Sequence, residues 1–134
     1  MKKVVLGLVF LSAAQISFAQ PEPGTVLWTY DVGYQTESSP VLGPDSTVYV
    51  QAFGLWAVTN SGATASNKWR SFLGQPAIGS DGTIYLLDVG GLRALNPDAS
   101  QKWYYPAVTQ DGSLYRRPAI SQDNTIYFVG AGVL

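Results

Sequence analysis

Three twelve-residue stretches of this chain are variants of one pattern. SPVLGPDSTVYV (39–50), QPAIGSDGTIYL (75–86) and RPAISQDNTIYF (117–128) share Pro40/Pro76/Pro118, Asp45/Asp81/Asp123, Thr47/Thr83/Thr125 and Tyr49/Tyr85/Tyr127. They are spaced by 36 and then 42 residues, and the second and third agree at seven of twelve positions. The likeness continues downstream. Gly54-Leu55-Trp56-Ala57-Val58 matches Gly91-Leu92-Arg93-Ala94-Leu95, Gly132-Val133-Leu134 opens a third copy, and Lys68-Trp69 and Lys102-Trp103 close the first two units. A repeat of this kind limits the chain to architectures in which like units shield one another's apolar faces.

Each unit reads as four short strands. A leading Pro is tolerated at a strand's first residue. Pro44-Asp45-Ser46, Ser80-Asp81-Gly82 and Gln122-Asp123-Asn124 are turn formers between β formers. A second strand follows (Thr83 to Leu87), then a third after the Gly (Leu92 to Leu95). A polar turn, Asn96-Pro97-Asp98, leads to the fourth around Trp103. Past the first twenty residues no window has the i, i+3, i+4 apolar spacing of an amphipathic helix. The expectation is an all-β chain. Four-stranded units of about 40 residues have the period of β-propeller blades, each needing a neighbour on its open faces. Small residues in the first strand (Ala77, Gly79, Ala119, Ser121) suit crowding near a central axis, and a Greek-key sandwich is the alternative. Trp28, in Val26-Leu27-Trp28-Thr29-Tyr30, reads as the outer strand of a unit whose beginning is absent. The fold expected is an incomplete propeller: two full blades, a partial third and this orphan strand.

The N-terminus carries a different signal. Lys2 and Lys3 precede an apolar run from Val4 to Ala14, and Ser17-Phe18-Ala19 places small residues where a signal peptidase reads them. The run is short of the ~20 residues that span a bilayer. Residues 1–19 therefore read as a cleaved signal peptide and 20–134 as the repeat region, exported to a periplasm or beyond. Without the two leader lysines, six basic and nine acidic residues remain, a net charge of −3. That balance gives no reason to expect nucleic-acid binding. The chain has no Cys and no His. This excludes disulfides, thiol catalysis, Ser-His-Asp triads and ordinary zinc sites.

The pattern Pro-x-x-x, Asp-Gly-Thr-x-Tyr, Gly-Leu-x-Ala-Leu and a closing Lys-Trp resembles the PQQ-like β-propeller repeat, over roughly Thr25 to Leu134. That superfamily includes quinoprotein dehydrogenases and the propeller lipoprotein of the outer-membrane barrel-assembly machinery. The resemblance implies a propeller and leaves function open. Cofactor-using members close their blades with a pattern similar to Ala-x-Asp-x-x-Thr-Gly-x-x-x-Trp. Here its turn Gly survives as Gly62, Ala99 replaces it in the next unit, and three extra residues separate Ala57 from Trp69. There is no vicinal Cys pair, and no Glu, Asn and Asp constellation is assignable to a calcium-assisted quinone site.

Asp45, Asp81 and Asp123 are read as hairpin-turn acceptors rather than calcium ligands, because one carboxylate per unit under-supplies a cation that takes six to eight oxygens. Trp28, Trp69 and Trp103 are read as packing between blades. The candidate partner-binding residues are Trp56 and Arg93, which vary on a constant frame, and Tyr115, Arg116 and Arg117 beside the longest inter-unit connection, where Tyr104 and Tyr105 also lie. An ordinary alternative pairs Arg116 or Arg117 with Asp111. Asp88 and Glu37 have no partner visible in the sequence that would make them a general acid–base pair. The functional expectation is an exported, non-catalytic binding or scaffolding module for envelope or extracellular proteins or glycans, with no cofactor. The alternatives are the N-terminal fragment of a dehydrogenase using pyrroloquinoline quinone and calcium, and a truncated gene product.

Overall fold

The computed structural model describes residues 22–36, 38–62, 64–72, 74–107 and 116–129. The expected signal peptide lies outside them. Every regular element is a strand, and no helix occurs among the described residues.

Among the described residues, ten strands form three antiparallel sheets in chain order. The first sheet holds β1 (Val41–Leu42), β2 (Val48–Gln51), β3 (Leu55–Asn60) and β4 (Ala65–Ser71). The second repeats it with β5 (Ala77–Ile78), β6 (Ile84–Asp88), β7 (Gly91–Leu95) and β8 (Gln101–Pro106). The third pairs β9 (Ala119–Ile120) with β10 (Ile126–Tyr127). Each sheet thus begins at one copy of the repeat. The segment around Trp28, expected as a strand, has no strand pairing.

The repeated residues explain the repeated geometry. Asp45 Oδ1 accepts the Thr47 backbone N–H at 3.0 Å while the Thr47 hydroxyl donates to Oδ2 at 2.8 Å. Asp81 and Thr83 do the same at 3.0 and 2.7 Å, and Asp123 accepts the Thr125 N–H at 3.1 Å. The turn needs a positive φ one residue after each Asp: Ser46 at 63°, Gly82 at 80°, Asn124 at 64°. Glycine takes that conformation without strain, and Asn tolerates it better than most residues.

In both complete sheets the third and fourth strands share a bulge after the central alanine. The register steps from Ala57↔Trp69 to Val58↔Asn67, and from Ala94↔Trp103 to Leu95↔Gln101. The residues skipped are Lys68 and Lys102. A bulge re-aims the side chain it carries, and both lysines reach back across the sheet to the turn aspartate, at 3.2 and 3.3 Å. The closing Lys-Trp pair is therefore a bulged residue that ties down the turn, followed by a residue that packs.

Across each sheet, Tyr49–Ala57–Trp69 and Tyr85–Ala94–Trp103 are successive cross-strand neighbours. The small alanine leaves room for Tyr and Trp rings to meet above it, with centroids 5.8 Å apart and planes at 49° in both sheets. The glycine opening each third strand is also required. At Gly91 (φ 153°) an added Cβ would lie 2.1 Å from the Tyr105 carbonyl oxygen.

The sheets stack face to back. Tyr49, Leu55 and Ala57 of the first meet Ile84, Leu86 and Leu95 of the second, with Trp69 and Ile78 beside them. Tyr85, Leu87, Leu92 and Ala94, on the other face of the second sheet, meet Ile120, Ile126 and Phe128 of the third unit. The repeat aligns Ile120, Ile126 and Phe128 with Ile78, Ile84 and Leu86, so one interface is built twice. The exposure of the repeated tyrosine follows this order: 1% at Tyr49, 8% at Tyr85, and 61% at Tyr127. The initial strands of the units adjoin in sequence, β1 beside β5 and β5 beside β9.

Candidate functional site

Tryptophan indoles add polar links along the stack. Trp69 Nε1 donates to the Pro97 carbonyl oxygen at 2.8 Å, from β4 to the turn after β7. Trp28 Nε1 donates to Asn60 Oδ1 at 3.0 Å. Asn60 and Pro97 are equivalent positions, each six residues past the glycine that opens the third strand. Trp28 therefore docks on the first sheet as Trp69 docks on the second. Among the described residues, no hydrogen-bond partner is recorded for the Trp103 indole.

At the end of the sheets opposite the Asp turns, the β2–β3 and β6–β7 loops meet the ends of β4 and β8. Here Trp56 and Arg70 are cross-strand partners, and so are Arg93 and Tyr104 at the equivalent places. Arg70 Cζ lies 5.1 Å from the Trp56 ring centroid, and Arg93 Cζ lies 4.8 Å from that of Tyr104. The cation and the ring have exchanged strands while the pair persists. Each guanidinium also meets a ring from the preceding part of the chain: Tyr34 at 5.2 Å from Arg70, and Phe72 at 4.6 Å from Arg93. Cation–π contacts of this kind contribute about 0.5–1 kcal/mol each at exposed sites.

The two guanidiniums differ in charge pairing. Arg93 Nε and Nη2 donate to Asp88 Oδ2 at 2.9 and 2.6 Å, and Nη1 donates to Gln101. Asp88 Oδ1 meanwhile accepts the N–H groups of Gly90 and Gly91, capping the β6–β7 loop. Asp88, which the sequence left without a partner, thus has a structural one. In the β2–β3 loop the polarity is reversed, and donors satisfy carbonyls: Arg70 Nη2 binds the Phe53 oxygen and Trp56 Nε1 the Ala52 oxygen. Among the described residues, no carboxylate lies within salt-bridge distance of Arg70.

Phe53 completes this rim. Its φ is 46°, uncommon for a bulky residue, and the residue is 70% exposed. It stacks on Tyr34 with centroids 5.4 Å apart, and Arg70 Cζ lies 5.5 Å from it. In the second unit Gly90 holds the corresponding place before the strand-opening glycine.

Of the residues singled out in the sequence, Trp56 and Arg93 thus lie in matching cation–π pairs. Arg116 and Arg117 line a different hollow, with Tyr127 and Val129, and Arg117 Nη2 donates to the Ser39 carbonyl at 3.3 Å. Tyr115, Asp111 and Glu37 lie outside the described residues. Sequence reasoning missed Tyr34, Phe53 and Arg70. The available signal was Phe53 standing where the next unit has Gly90.

The electrostatics of the repeated aspartates fit their turn role. The Thr83 hydroxyl and backbone hydrogen bonds, with help from Lys102, hold the Asp81 carboxyl down at about 2, and Thr47 lowers Asp45 likewise. Burial raises the Tyr49 phenol. Each of these carboxylates is bound to its own turn, one per sheet, and no three acidic side chains converge among the described residues. No family model matches the sequence, and no curated protein matches it.

Proposed function

We propose that this chain is an exported, non-catalytic β-propeller module that binds or scaffolds protein or glycan partners of the cell envelope or exterior. The propeller reading is supported by one interface built twice between successive four-stranded units, and by first strands that adjoin in order. The binding reading rests on one observation. The loop end of two adjacent sheets presents guanidinium–ring pairs in register, with Tyr34, Phe53, Phe72, Tyr104 and Tyr105 exposed there. Exposed rings grouped with arginine are characteristic of interface hot spots, and rigid sheets hold such loops at low entropic cost.

Three experiments test this reading. N-terminal sequencing of protein recovered from the envelope or medium should begin at Gln20; recovery of the intact chain from the cytoplasm refutes export. Purified protein should retain envelope proteins or arrayed glycans, and Trp56→Ala with Tyr104→Ala should reduce that retention at least tenfold. Retention unchanged by these substitutions removes the rim as the binding surface. Titration with pyrroloquinoline quinone and calcium, followed by dye reduction with alcohols or sugars, should give no turnover; turnover overturns the non-catalytic reading.

A further inference from the structure

The two units solve the same electrostatic problem differently. In the second, the guanidinium held between aromatic rings carries its own counter-ion: Asp88 engages Arg93 through Nε and Nη2. In the first, Arg70 sits among Tyr34, Phe53 and Trp56, gives one N–H to the Phe53 carbonyl, and has no carboxylate within reach among the described residues. Arginine has five N–H donors in a planar fork that matches a carboxylate. Arg70 therefore keeps donor capacity that Arg93 spends inside its own sheet.

We infer that Arg70 and its surrounding rings form a docking site for an acidic polypeptide segment, whose Asp or Glu side chain takes on Arg70 the place that Asp88 takes on Arg93. This deepens the proposed binding function and rests on it. Charge complementarity sets the ligand class, because an unpaired cation on a rim of exposed rings fits an anion flanked by apolar groups. The guanidinium's charge decides between an acidic peptide and a neutral sugar. Tyr34 and Phe53 stack on each other, and Arg70 lies over both and over Trp56. The guanidinium edge and the ring edges suit a carboxylate and its neighbouring apolar side chains, whereas a neutral sugar brings no counter-charge to Arg70. Phe53 supplies an independent observation. A bulky residue that is 70% exposed at φ 46° serves the loop's conformation less well than a glycine would. Strain of this kind gathers at ligand contacts.

The test measures binding of the full chain to immobilised hexapeptides that carry one Asp or Glu between Leu and Phe, to twins carrying Asn or Gln, and to oligogalacturonate. The acidic peptides should bind at least tenfold tighter than their amide twins, with the margin shrinking in high salt. Arg70→Gln should erase the margin, and Lys102→Gln, an equal charge change at a remote turn, should keep it. Phe53→Gly relaxes the backbone and should weaken acidic-peptide binding without lowering the thermal midpoint, so loss of binding cannot be ascribed to unfolding. Equal binding of acid and amide peptides overturns the inference, as does a margin that survives Arg70→Gln or preference for oligogalacturonate. If neutral peptides or glycans bind and depend on Phe53, the inference falls and the binding function stands. If no probe's binding depends on Phe53 or Arg70, both fall.

Discussion

Trp69 and Trp103 offer a measurement of how strongly one sheet is tied to the next. Both rings stand over an alanine and meet a tyrosine at the same distance and angle. They differ in that the Trp69 indole donates to the Pro97 carbonyl of the following sheet. Replacement of either by Phe deletes one ring and costs roughly 1 kcal/mol of apolar burial. At Trp69 the inter-sheet hydrogen bond is also lost. Its acceptor is exposed and regains water, so the extra cost is the net value of an ordinary hydrogen bond, about 1 kcal/mol. Trp69→Phe should therefore destabilise by about 2 kcal/mol and Trp103→Phe by about 1, a difference of roughly 4 °C in Tm. Urea unfolding followed by far-ultraviolet circular dichroism provides the comparison, since fluorescence changes with tryptophan number. Incorporation of 3-benzothienylalanine at position 69, which keeps the bicycle and lacks the N–H, should reproduce only the hydrogen-bond part. Equal losses for the two Phe variants, or no loss with the sulfur analogue, would refute the role given to this link.

Three further outcomes follow from local chemistry. Gln51 is buried at the position equivalent to Leu87, and its Oε1 has no hydrogen-bond partner. Gln51→Leu should stabilise by about 1–3 kcal/mol in chemical denaturation, the cost of an unsatisfied buried group. Ser46 takes the positive φ that Gly82 takes in the next unit, so Ser46→Gly should gain about 0.5 kcal/mol after the added entropy of the unfolded chain is subtracted, visible as a higher urea midpoint. Asp45 and Asp81 have folded-state pKa values below the ordinary carboxyl value of 3.8, with Asp81 at about 2. Their contribution is present above about pH 4 and is lost as pH falls toward 2. Both side chains are largely exposed, so Asp45→Asn with Asp81→Asn should flatten the acid limb of the stability profile by no more than about 1 kcal/mol.

The sheets could be read from the sequence because their determinants are local and repeated. Asp-x-Thr fixes a turn within three residues, alternation marks the strand after it, and Gly-Leu-x-Ala-Leu marks the next. The Tyr–Ala–Trp row could be read in part, since the motif named its members but not their adjacency. The rim was hidden for a different reason. Aligning one unit on the next compares Trp56 with Arg93 and finds only a difference. The constant feature is a pair across two strands, Trp56 with Arg70 and Arg93 with Tyr104, and its register is set by a bulge that no residue type announces. Tyr34 lies in a segment outside the repeat, so alignment gave it no counterpart. Asp88 and Arg93 are brought together by a hairpin one residue longer than that of the preceding unit, which residue-by-residue matching passes over.

The face-to-back contact has a consequence for self-association. A twofold axis joins like surface to like surface, whereas this interface joins a tyrosine-bearing side to an isoleucine-bearing one. Contact between molecules through these surfaces is therefore polar, head to tail, and leaves a fresh head and a fresh tail after every addition. Such growth ends only when the accumulated rotation returns to its start. Without that return it yields filaments.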